Sequence, residues 1–91
     1  MRGSIRLLVY ELLFLKQWKR WVLVDGLSGA LAGGGAAWAN KKIAVKDCEW
    51  IMNQNISING QHSELRIRNK NGRYSPARTY PRSADPKRSK G

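Results

Sequence analysis

Few side chains in this sequence could do chemistry, and their spacing supports no catalytic arrangement. His62 is the only histidine, and nothing around its neighbour Ser63 indicates a supported triad. Cys48 is the only cysteine, so the chain has no internal disulfide, and by itself it cannot make a four-ligand zinc site. A free thiol, an acylated thiol and an intermolecular disulfide all remain open for it. The acids lie scattered among basic residues, with neither the paired carboxylates of a glycosidase nor the spacing of a calcium loop. The string VLVDGLSGALAGGG fits neither glycine-rich phosphate-loop pattern. The chain is therefore read as non-enzymatic, with no metal, no cofactor and no small-molecule substrate.

Binding chemistry is better supported. A formal net charge of +11 calls for an anionic partner, which could be nucleic acid, anionic lipid head groups or an acidic protein surface. Arg66, Arg68, Lys70, Arg73, Arg78 and Arg82 interleave with Tyr74 and Tyr80, the mixture that contacts phosphates while stacking on bases. These six are the candidate contacts to that anionic partner.

The elements that would position such groups follow from hydropathy. Residues 5–15, IRLLVYELLFL, are apolar on all sides and Leu-rich, which favours a short buried helix over a buried strand. Residues 21–40 hold one charge, Asp25, and are bracketed by Trp18 and Trp21 with basic neighbours before, and by Trp38, Lys41 and Lys42 after. As a helix, that bracket rises about 30 Å, the thickness of a bilayer core, with the tryptophans and lysines as interface anchors. Gly26, Gly29, Gly33 and Ala37 would share one face and let a second helix approach closely. A flexible Gly/Ala linker is the competing reading. Asp25 would be either an intramembrane polar residue with a partner or a residue at the water boundary.

Beyond Lys42 the sequence turns polar. Asn59-Gly60 and Asn71-Gly72 are hairpin signals, and pairing Ile58 with Leu65 and Ile56 with Ile67 suits the alternation. Residues 75–91 hold all three prolines and no large aliphatic, which reads as a disordered or extended tail.

The fold class expected is mainly α: a short apolar helix and one Gly/Ala-rich transmembrane helix in residues 1–52, a small hairpin in 53–74 and a basic tail in 75–91. The expected function is a single-span accessory or assembly subunit of a membrane complex, in a bacterial cytoplasmic or mitochondrial inner membrane. Its partners would be other membrane helices and an anionic surface. Two alternatives stand beside it: a small phage-type lysis or pore-forming protein, and a ribosomal or virion protein with its apolar half buried between neighbours and a basic extension on nucleic acid.

Overall fold

The computed structural model describes residues 7–84. It is a mixed α/β fold in which one helix packs on a five-stranded sheet, so the expected mainly α architecture is corrected. In chain order the elements are β1 (Leu8–Leu15), β2 (Arg20–Asp25), β3 (Ala37–Trp38), α1 (Lys41–Asn59), β4 (Ser63–Ile67) and β5 (Arg78–Tyr80). Across the sheet the order is β3-β2-β1-β4-β5, with β1 antiparallel to β2 and parallel to β4.

The apolar run at the N-terminus is a strand because it occupies the centre of this sheet. Tyr10, Leu12 and Phe14 point to the helix side, and the alternate residues Val9, Glu11, Leu13 and Leu15 to the other. Both sets are largely apolar, which explains why the run looks hydrophobic all round; strand pairing on both edges overrides the helix preference of leucine.

The expected span is overturned by its own glycines. Gly29, Gly33, Gly34 and Gly35 sit at φ of +76°, +64°, +73° and +79°, a left-handed backbone that no α-helix contains. Residues 21–40 instead contribute most of β2, a loop at 26–32, a 3-10 turn at Gly33–Gly35 and the short β3. Among the described residues no helix is long and apolar enough to cross a membrane. The single-span accessory role, the lysis variant and the membrane location all rested on that crossing and are corrected with it. The ribosomal or virion alternative is also corrected as framed, because the apolar half is buried in the protein's own sheet rather than between neighbours.

Helix α1 starts where Asn40 caps it, its side chain accepting from the Ile43 N–H at 3.2 Å. Ala44, Cys48 and Met52 recur every four residues and are fully buried against the sheet. Gly60, at φ +66°, ends the helix, and its N–H bonds the Ile56 carbonyl at 2.8 Å. Asn59-Gly60 is therefore a helix terminus and not a hairpin turn, and Ile56 and Ile58 lie on α1. The second Asn-Gly pair is a true turn: the Gly72 N–H bonds the Asn69 carbonyl at 2.9 Å, and β4 then pairs with β5 through Ser63 with Tyr80 and Leu65 with Arg78. The expected tail thus contributes an edge strand and a 3-10 turn at Arg82–Ala84, and residues 85–91 of it lie outside the described residues.

Between helix and sheet lie Leu12, Leu23, Leu65, Ile67, Met52 and Tyr80, all fully buried, with Trp21 at their edge. Each large aliphatic among them contributes about 1.5–3 kcal/mol relative to an exposed position.

Candidate polyanion interface

The end of the sheet beside the start of α1 gathers cations from three separate elements. Lys16 follows β1, Lys41 and Lys42 open α1, and Arg68 and Lys70 follow β4. The pairing of β1 with β4, Leu12 opposite Ile67, brings the first and last of these groups to the same end.

Two aromatic rings organise this pole. Phe14 and Trp21 are cross-strand neighbours in edge-to-face contact, their centroids 5.6 Å apart. The Lys70 ammonium lies 4.3 Å from the Phe14 ring centre, and that of Lys41 lies 5.9 Å from the Trp21 ring. Lys41 also donates to Asn69 Oδ1 at 2.5 Å, and the Asn69 amide nitrogen donates to Ser75 Oγ at 3.1 Å. The two ammonium groups are thereby positioned without a carboxylate to neutralise them.

Three surface depressions run together here. Lys16, Arg68 and Lys70 line the first with Phe14; Lys70 and Lys41 line the second with Trp21; Lys41, Lys42, Lys46 and Arg78 line the third with Val45. Each shares a lysine with the next, making one groove from the β1–β2 turn, past the start of α1, to the side of β5. Among the described residues no carboxylate lines any of the three. Arg66 is ion-paired with Glu64 at 2.8 Å and Arg78 with Glu49 at 3.1 Å.

The two asparagine side-chain oxygens of the groove each accept a hydrogen bond from within the fold. Asn40 Oδ1 takes the Ile43 N–H and Asn69 Oδ1 takes Lys41, so the side chains present donors outward. The first turn of α1 contains no acid, and its partial positive charge adds to that of Lys41 and Lys42.

The residues singled out from sequence are distributed unevenly over this geometry. Arg68, Lys70, Lys41 and Lys42 meet in the groove, with Arg78 at its far end. Arg66 is paired on the opposite sheet face, Arg73 is exposed in the β4–β5 turn, and Arg82 lies over the Tyr80 ring at 5.6 Å. Trp21 is buried, Trp38 donates its indole N–H to Asp47 at 2.7 Å, and Trp18 stands exposed on the β1–β2 turn. Gly26, Gly29, Gly33 and Ala37 lie in the loop, the 3-10 turn and β3, so they form no helix face.

Asp25 is a loop former. Its Oδ1 accepts from the backbone N–H groups of Leu27 at 2.8 Å and Ser28 at 2.9 Å. The bonds from the Ser28 and Leu27 amides hold its pKa below the ordinary aspartate value. Lys16, Lys46 and Phe14 belong to the groove without having been singled out. The only sequence signal for Lys16 was its closeness to Trp18, Lys19 and Arg20, while Phe14 reads simply as core.

No protein-family model matches this chain, and neither curated proteins nor solved structures provide a match.

Proposed function

We propose that this domain binds the phosphate backbone of nucleic acid through the groove at the start of α1. The observation that carries this reading is a groove rich in donors, with cations from β1, α1 and β4 joined by shared lysines and no carboxylate among its described lining residues. A protein surface offers donors and acceptors in mixture, whereas a phosphate backbone offers acceptors alone at regular spacing. Holding several unpaired cations together costs self-repulsion, which a polyanion relieves by releasing its own counterions.

The test is binding of a fluorescein-labelled oligonucleotide, followed by anisotropy, with Lys41→Glu/Lys70→Glu beside the unaltered chain. The double reversal is expected to weaken binding by about tenfold or more at low salt, with an unchanged far-UV spectrum. Equal affinity of the two proteins would overturn the reading.

A further inference from the structure

The sheet face opposite α1 carries a second surface that the phosphate groove alone does not explain. Among the described residues no second helix covers it, and β1 and β2 present Leu13, Leu15 and Val24 there half-buried. With Trp18 and Leu31 these line an apolar depression, in which Trp18 is 51% exposed and Leu31 49%. Leu13 lines both this depression and the first part of the basic groove. The two surfaces are therefore continuous: an apolar, aromatic floor on one side of Leu13 and a cationic rail on the other.

Charge is segregated along the same line. The acids bordering the apolar floor, Glu11 and Asp25, are held in the fold, Glu11 by the Tyr74 hydroxyl at 3.1 Å and Asp25 by the loop amides. They keep phosphates off the floor, while Lys16, Arg68 and Lys70 attract them to the rail. The occupant that matches is a polymer with phosphates along one edge and flat, uncharged groups along the other. Single-stranded nucleic acid has that form. A duplex turns its bases inward, and a sulfated polysaccharide has no flat groups to stack.

Resting on the phosphate-backbone reading above, we infer that the ligand is single-stranded nucleic acid, its phosphates following the Lys16–Arg68–Lys70 rail and its bases lying in the apolar depression against Trp18. Trp18 serves as the stacking platform, and base identity is read weakly because every base offers the same kind of face.

The probes are fluorescein-labelled oligothymidylate, the same strand annealed to oligoadenylate, and heparin as competitor. The expected result is tighter binding of the single strand than of the duplex. Trp18→Ala should weaken single-strand binding by about tenfold, leave inhibition by heparin unchanged, and be largely rescued by Trp18→Phe. Two results would overturn the inference: single-strand affinity unaffected by Trp18→Ala, or a change in elution volume without a change in affinity, which would assign the face to a second copy of the chain. In either case the groove reading stands if Lys41→Glu/Lys70→Glu still weakens binding of both oligonucleotide and heparin. Loss of no binding in that reversal would remove the groove itself.

Discussion

The Lys70 ammonium lies 4.3 Å from the centre of the Phe14 ring, on the rim of a groove with no carboxylate among its described lining residues. A ring holds a cation through its quadrupole without cancelling its charge, so Lys70 is placed and still available to an anion. Phe14→Leu keeps an apolar side chain on the helix side of β1 and removes that attraction. Oligonucleotide affinity is expected to fall about two- to fivefold, the equivalent of roughly 0.5–1 kcal/mol, with a smaller effect on heparin inhibition than Lys70→Gln. Titrations of the two variants side by side measure this.

The glycines of the 26–35 segment differ sharply in what they permit. At Gly26 an added Cβ would lie 2.7 Å from Val9 Cγ1 and 2.9 Å from the Val9 carbonyl oxygen, and the Gly26 N–H bonds that same carbonyl at 2.7 Å. At Gly29 an added Cβ meets open space, and only its positive φ resists a side chain. Gly26→Leu is therefore expected to disrupt β1–β2 packing and abolish a cooperative urea transition. Gly29→Leu should retain the native spectrum at a cost of about 1–2 kcal/mol of backbone strain, and Gly29→Asn less. Urea unfolding of the three variants checks the ranking.

Alkaline pH should destabilise this fold through two buried groups. Burial raises the Tyr80 pKa to about 12, helped by its hydrogen bond to Glu49 Oε2 at 3.0 Å, where a phenolate would face a carboxylate. Burial likewise pushes the Cys48 thiol up to about 12, with the charges of Asp47 and Glu49 adding to the shift. Both groups ionise more readily in the unfolded chain, so the stability they contribute is complete below about pH 9 and is lost as pH rises from about 9 to 12. The urea midpoint should fall across that window, and Tyr80→Phe should flatten the drop above about pH 10. The same burial makes Cys48 inert: a disulfide reagent such as dithiobisnitrobenzoate should label it at neutral pH only after urea is added. Rapid labelling of the native protein would contradict the packing of α1 on the sheet.

What could be read from the sequence divides along physical lines. The excess of basic residues is legible in composition, and Arg68 and Lys70 stand out there as candidate contacts to an anion, whereas Lys41 and Lys42 read from sequence as membrane interface anchors and only the fold sets them beside Lys70. The β1 strand was hidden because a central strand, apolar on both faces, loses the alternation that separates strand from helix. The 26–35 loop was hidden because small residues at helical spacing are also loop residues, and only the backbone angles of Gly29 and Gly33 distinguish them. The Asn59-Gly60 pair resembles a hairpin turn because a left-handed glycine serves both a turn and a helix end. The groove itself could not be read locally, since it depends on β1 pairing in parallel with β4 across more than fifty intervening positions, from Leu8 to Ser63.

The most direct test is the salt dependence of single-stranded oligonucleotide binding by the unaltered chain. With Lys16, Lys41, Arg68 and Lys70 each neutralising a phosphate, the logarithm of affinity should fall against the logarithm of salt with a slope of about −3, and Lys41→Glu/Lys70→Glu should reduce that slope to about half. No binding at low salt, or a slope that the double reversal leaves unchanged, would contradict a phosphate-binding groove at the start of α1.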